Sequence, residues 1–570
     1  MRPAASPAPA AAAALLAALA AAAAAGAIDR HPPRPSARVW YVDNTAVADG
    51  DGSMVAPFDR LTRAVRAADA GDTIYVFRGD GTERALDEPV RLRPFQRLVG
   101  SGVAFDAGGE APLPAGEPPL LASAEGPVVT LADHASVEGV ALASGGEAVL
   151  VGRAVHGFRL VGLRVDGRGT ATAGIDLQDV VDATLEQVTV TGAARFGIRL
   201  ERAGQVALRA CRVTATGTAA GDAGVLVRAP SGTMEIASSE IGVRAGAALA
   251  VETSHGEARI ALEGVELVEE DGPLPASGLV ARADGDADLR LVVGTTVLSR
   301  LAADGFSLVA AGQGRLSFEL AGSGAIGDVG GAPTRALVAA AHDGGGIELV
   351  ARGDDLLARD TGLTLEATGS SRLRASLERD ALKGAGATRG VVVLLSDDAE
   401  AALALTGNEL AGQVAEAVYV AAAGRSRLGV EARDNVVGEP ADAPSVPLPS
   451  VRIETRDSSG ACVALANNRI ADGPGGGPAV ALRQLGESAL ALSGYTPAAT
   501  GGGAAQALAA TNRVGRVEIV GDRELTATAG PSCPPPALGA STRGGRGAAF
   551  PLVEDRLVGE PLTTPLNRHQ

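Results

Sequence analysis

At 570 residues the chain is too long for one compact ball, and its 46% hydrophobic residues allow a large core. With only 2% aromatics, that core has to be built from Val, Leu, Ile and Ala. The 76 glycines follow no G-X-Y period, which excludes collagen, and a formal net charge of −17 argues against a nucleic-acid partner.

Residues 1–27 carry one basic residue, Arg2, then an Ala/Leu run ending in Ala25-Gly26-Ala27. This is the pattern of a secretory signal peptide cleaved near Ala27. It implies a secreted, periplasmic or cell-surface protein, and residues 28–37 read as a linker. No later stretch is long and apolar enough to span a bilayer, so no transmembrane segment is expected in the mature chain.

Residues 38–135 read as an N-terminal cap with the first coils of a repeat. Asp43, Asp49 and Asp51 loosely match a calcium loop. They lack the terminal bidentate Glu of such loops, so a turn is the preferred reading; no cofactor is expected, and calcium is the one ion with candidate ligands. Leu61, Ala64, Val65 and Ala68 share one face of a short amphipathic helix that Gly71 can end, and 73–77 reads as the first coil strand. Trp40 and Tyr41 stand at the start of the fold, far in sequence from Tyr75, Tyr419 and Tyr495, which leaves little to stack on a sugar ring.

Residues 136–472 repeat. VEGVAL at Val137 returns as LVGLRV at Leu160, LEQVTV at Leu185, LRACRV at Leu208, IASSEI at Ile236 and LEGVEL at Leu262, with offsets of 23, 25, 23, 28 and 26. From Ser277 the unit shows two strands, as in SGLVARADGDADLRLVVGTTVL. A unit this small cannot bury its own apolar side and has to stack on its neighbours. Strands of three to six residues between polar corners leave no helix for βαβ units. The expected fold is therefore all-β, a right-handed parallel β-helix. About thirteen coils between Val137 and Ile470 would rise roughly 60 Å at the spacing of paired strands. A β-sandwich would not keep this period, and a propeller needs four strands per blade. Asn408, Asn435 and either Asn467 or Asn468 recur at one corner, where an amide can bond backbone and Asn tolerates the left-handed conformation.

The best charged cluster is Asp166, Arg168, Asp176, Asp179, Asp182, Arg195 and Asp222, in coils whose corner loops look longest. Asp166, Asp176, Arg195 and Asp222 are the candidate catalytic residues, against the plainer reading of a solvated acidic face. His134 and His156 fall in successive coils and could stack, but lack a third ligand and are read as surface histidines. No nucleophile elbow, P-loop or dinucleotide fingerprint occurs.

Of three cysteines, Cys211 sits at an inward strand position and reads as a buried thiol. Cys462 and Cys533 flank one C-terminal unit and are expected to pair after export, three free thiols being the alternative. Residues 473–535 read as a C-terminal capping module with a helix around 504–511 and a strand at 517–520. Residues 536–570 read as a Pro/Gly-rich tail in which Phe550-Pro551-Leu552-Val553 could dock.

YVDN (41–44), DGDGS (49–53), APF (56–58), the short helix and GDTIYVFRGDGT (71–82), with RLRPFQRLVGSG (91–102), resemble the first module of the pectin-lyase-like parallel β-helix superfamily. More narrowly, the chain looks like large exported bacterial β-helix repeat proteins, whose units end in a corner of the form L-x-G-N-x-I, as LTGNEL (405–410) does. CVALANNRIADG, QALAATNR and SCPPP match their cysteine-bounded terminal module. The resemblance covers roughly 38–535 and implies the fold, not an activity, because the superfamily mixes lyases, hydrolases, adhesins and scaffolds. Lyases of this fold use an Arg or Lys base with calcium-binding carboxylates, and glycosidases use sets of carboxylates. The reading that results is a non-catalytic exported scaffold for adhesion to an envelope partner or glycan. A polysaccharide lyase or glycoside hydrolase acting near 166–222 is the alternative.

Overall fold

The computed structural model describes residues 38–108, 112–124, 126–322, 332–383, 388–439, 447–493, 503–521, 525–528 and 533. The expected signal peptide, the tail from 536, Tyr495 and Phe550 lie outside these residues. The unit beginning at Val39 is a parallel β-solenoid. One coil shows how it winds. Val181–Glu186 lies in a first long sheet, Thr189–Thr191 on a short third face, and Phe196–Glu201 in a second long sheet. Gly204–Arg209 then returns to the first sheet beside Val181–Glu186.

Among the described residues the first sheet has 18 strands and the second has 16. The third face carries an eight-stranded sheet that ends at Val297–Ser299 and a six-stranded one that starts at Asp355–Leu357.

The repeat spacing sets the register. Leu160 pairs with Leu185, Leu185 with Leu208, Leu208 with Ile236 and Ile236 with Leu262. In the other direction the same column passes through Val137, Leu98 and Ile74 to Trp40. Alternate residues of each strand point inward, so each aliphatic side chain is covered by its equivalents one coil before and after. Leu160 and Leu185 are fully buried. The core is one continuous cluster from Trp40 to Leu508.

In most coils the corner between the first sheet and the third face is only two residues long. Its first residue is left-handed, as at Gln187 (φ 54°), Ala210 (50°), Arg379 (61°), Asp434 (58°) and Asn467 (58°). The second points inward: Val188, Cys211, Asp380, Asn435 and Asn468 are all buried. The two roles expected of one Asn are thus split between neighbours, because a left-handed residue reverses the chain and aims the next side chain into the stack. Asn468, not Asn467, is the rung.

Helix α1 (Leu61–Ala67) buries Leu61 and Ala64 in the core, with Val65 packed against it. It stops before Gly71: Ala68 is already extended (ψ 137°) and buries its methyl, and the Gly71 N–H bonds Pro94 O at 3.1 Å. Strand Thr73–Val76 follows. Helix α2 (Ala504–Thr511) and strand Val517–Gly521 stand where the pattern places them. Cys462 and Cys533 are disulfide-bonded, and Cys211 is a free, buried thiol.

Candidate functional site

On the second sheet Ile175 and Leu177 face the core, which turns Asp176 outward. Asp176 is nevertheless only 3% exposed, held between Arg153 Nη2 at 3.6 Å and Arg199 Nε at 3.7 Å. Gln178 Nε2 donates to it at 3.1 Å. Arg199 also binds Glu201 (2.7 Å), Glu201 binds Arg202 (2.5 Å), and Arg202 grips Asp179 through both oxygens at 2.6 and 2.8 Å. Asp176 and Asp179 therefore belong to one network across three coils. Burial pushes the Glu201 carboxyl up, but Arg199 and Arg202 outweigh it and hold it below the ordinary carboxylate range. Arg202 holds Asp179 low as well.

Arg195 and Asp222 form a second pair at the corner between the third face and the second sheet. Arg195 Nε donates to Asp222 Oδ1 at 2.9 Å, and the guanidinium lies 4.8 Å over the Phe196 ring. The other oxygen of Asp222 accepts the Thr218 and Ala219 backbone N–H groups at 2.9 and 2.8 Å, so this carboxylate folds its own loop.

The remaining candidates fall elsewhere. Asp166 is on the third face and accepts the Arg168 N–H at 2.8 Å, while Arg168 pairs with Glu83. Asp182 is left-handed (φ 60°) and exposed near the start of a first-sheet strand. Residues adjacent in sequence alternate between inside and outside and turn onto three faces, so sequence proximity did not mean a shared face. Nor are these the longest such corners among the described residues: 167–172, 192–195 and 215–222 are shorter than 471–479.

Asp43 accepts the Thr45 N–H and hydroxyl at 2.9 and 2.6 Å, Asp51 accepts the Ser53 N–H at 2.9 Å, and Asp49 is left-handed at φ 77°. These are turn geometries. Among the described residues no three His, Cys, Asp or Glu side chains converge as a metal set. Asn44, beside Asp43, organises the facing loop: its Nδ2 donates to Asp80 Oδ1 (2.7 Å) and Arg84 O (3.2 Å). Thr82 first, and then Asn44, hold the Asp80 carboxyl down at about 2. The two histidines do sit on successive coils, the His134 N–H donating to His156 O at 2.7 Å. The His134 ring stacks on Phe95 at 4.6 Å, and His156 Nδ1 lies 3.1 Å from Asp133.

A further charged cluster, hidden by long sequence gaps, lies on the outer side of the second sheet. Tyr419 has Arg389 and Arg452 each 5.2 Å from its ring centre. Glu416 binds Arg389 (3.0 Å) and Arg452 (3.6 Å), and Glu454 binds Arg452 (2.5 Å) and Arg456. Glu416 and Glu454 are each 1% exposed. Strand register would have revealed the cluster, since Tyr419 pairs with Arg452. Tyr41 and Tyr75, distant in sequence, are also neighbours, with ring centres 5.8 Å apart and Phe77 and Phe105 beside them.

No protein-family profile matches the sequence, and no curated protein matches it. Three solved structures are similar at low identity. The pectate lyase Pel9A is 10% identical, with 76% of this chain and 78% of that one covered and a TM-score of 0.24. A GH136 lacto-N-biosidase from Eubacterium ramulus is 11% identical, with 80% and 67% covered and a TM-score of 0.23. The ORF18 protein of Geobacillus virus E2 is 10% identical, with 69% and 61% covered and a TM-score of 0.21. The chain is a parallel β-helix. That statement rests on its own strand ladders, since likeness at this level carries no argument about activity.

Proposed function

We propose that the protein is an exported, non-catalytic scaffold whose solenoid surface engages an envelope partner or a glycan. The observation that carries this reading is the use made of its surface charge. Arg97–Glu138, Arg159–Glu186, Arg209–Glu235, Arg228–Glu252, Arg335–Asp304 and Arg425–Asp398 each join one coil to the next at 2.6–3.1 Å. Side chains so engaged brace the stack along its length; a general acid or base needs freedom to exchange its proton with a substrate. The disulfide suits an oxidising compartment. In this reading α1 and the module from 473 to 535 cover the two ends of the core, as solenoids require.

A carbohydrate lyase or hydrolase acting near Arg195 and Asp222 is the second reading. It is favoured by the Arg195 side chain, 54% exposed beside a buried carboxylate. Incubation with uronic-acid polymers and neutral glycans, with calcium present, separates the two. The scaffold reading expects no turnover. Turnover that disappears in Arg195→Ala would overturn it. The reading of Asp43, Asp49 and Asp51 as turn residues and not calcium ligands is tested alongside: calcium should leave the melting temperature unchanged.

A further inference from the structure

The inward rungs of the corner column change chemistry along the stack. Asn408, Asn435, Asn468 and Asn512 each use Nδ2 to donate to a carbonyl one coil earlier, at Leu377, Leu405, Ala432 and Leu465 (2.8–3.0 Å). An amide has both an acceptor and a donor, so this ladder is satisfied at any ordinary pH. The next two rungs are Asp380 and Asp354, each 1% exposed. Asp380 occupies the acceptor half of the pattern: its Oδ1 takes the Asp354 N–H at 2.8 Å, and its own N–H goes to Asn408 Oδ1 at 2.8 Å. Its Oδ2 takes the Glu378 N–H at 3.0 Å, and Asp354 Oδ2 takes the Arg352 N–H at 3.0 Å. A carboxylate has no equivalent of the Nδ2 donor; a carboxylic acid has one, its O–H.

We propose that the Asp354–Asp380 step is a pH-sensitive seam in the solenoid, closed while the pair holds a proton and loosened when both rungs are charged. Two carboxylates on adjacent coils, both out of water, repel each other and lack the screening that surface pairs enjoy. Arg352 is engaged by Glu319 and Glu378, Arg379 by Glu378, and Asp355, Lys383 and Glu409 are exposed. Burial first, and then the neighbouring Asp354 charge, push the Asp380 carboxyl up to about 7. The sign follows from that direction. A raised carboxyl favours the folded state fully below its ordinary range, and the contribution is lost as pH climbs through about 7.

Native-state amide exchange on the full chain, corrected for intrinsic rates, reads the seam directly. Between about pH 5.5 and about pH 8.5, segment 349–382 should lose roughly tenfold or more in protection, while segment 403–437 on the amide ladder keeps its own. Asp380→Asn supplies the missing donor and should abolish the pH dependence. Asp354→Asn removes the like charge and should weaken it, which keeps the test alive if the first variant folds poorly. Equal protection of 349–382 at both pH values would overturn the proposal, and so would an undiminished pH loss in both variants.

Discussion

One side-chain oxygen of Asn435 accepts two bonds from Asn408 on the neighbouring coil, from its backbone N–H at 2.9 Å and from its Nδ2 at 3.0 Å. Asn435 Nδ2 in turn donates to Leu405 O and to Asn468 Oδ1, both at 2.9 Å. Removing this amide orphans donors on one coil and acceptors on two, inside the buried corner. Asn435→Ala should cost about 2–4 kcal/mol, more than an ordinary hydrogen-bond deletion. Urea denaturation measures it, and a loss below about 1 kcal/mol would mean that water replaces the ladder.

The aliphatic column narrows at Ala432. Leu405 pairs with Ala432, and Ala432 with Leu465. Beside this small residue lies a cavity of about 30 Å3 lined by Leu405, Val430, Ala432, Asn435 and Leu465. Ala432→Val adds two methyl groups where space exists and should stabilise the protein by about 1 kcal/mol. The same change at Ala375, which pairs with Leu349 and Leu403, should destabilise, because that methyl is 1% exposed and stands between two leucines of the stack. Denaturation midpoints of the two variants moving in opposite directions is the expected result.

These two features show what was readable beforehand. The column Leu160–Leu185–Leu208 was legible because a fixed spacing of aliphatic residues has one cheap burial, against its own copies. The Asn corner was legible for the same reason. Asp354 and Asp380 were not, because an Asp after Gly or Arg in a repeat reads as a solvated turn, and only three-dimensional register aligns it with Asn408. The charged clusters failed for a related reason: Asp166 and Asp176 are close in sequence yet lie on different faces, while Arg153 and Arg199, far apart, meet at Asp176.

Cys211 is a rung of the corner column, and its N–H donates to Ser239 Oγ at 3.0 Å. Burial raises its thiol to about 11. At pH near 8 it should therefore be almost wholly protonated and shielded, and inert to alkylation. Mass spectrometry after brief alkylation should find Cys211 unmodified in the folded protein and fully labelled in denaturant; rapid native labelling would show that the third face opens there.

The Glu454 network predicts acid sensitivity. Burial alone would raise this carboxyl, but Arg452 and then Arg456 outweigh it and set it below its ordinary range. A depressed carboxyl contributes stability above the ordinary carboxylate range and loses it as pH falls through the lowered value. Glu454→Gln leaves two guanidinium groups without their shared partner and should cost about 2–3 kcal/mol at neutral pH. The gap to wild type should close as the medium is acidified. Melting temperatures measured across the acid range test this, and a gap independent of pH would assign the loss to packing instead.

The disulfide makes the last prediction. Cys462 lies in strand Gly460–Ala466, which pairs with Ala489–Ser493 on the following coil, itself paired with Thr526–Thr528. Cys533 reaches back past those strands to bond Cys462, and its N–H donates to Glu431 Oε1 at 2.9 Å, one coil earlier still. The bond closes a loop across a sequence separation of 71, and chain entropy alone makes such a closure worth about 4 kcal/mol to the residues inside it. That stabilisation is local, because a solenoid communicates only between neighbouring coils. Cys533→Ser should therefore speed proteolytic cleavage between 489 and 528 while cleavage before Gly460 stays at the wild-type rate. If cleavage rises equally along the whole chain, the coils are not acting as nearest-neighbour units, and if it does not rise at all, α2 and strand Val517–Gly521 hold the end of the stack without the covalent link.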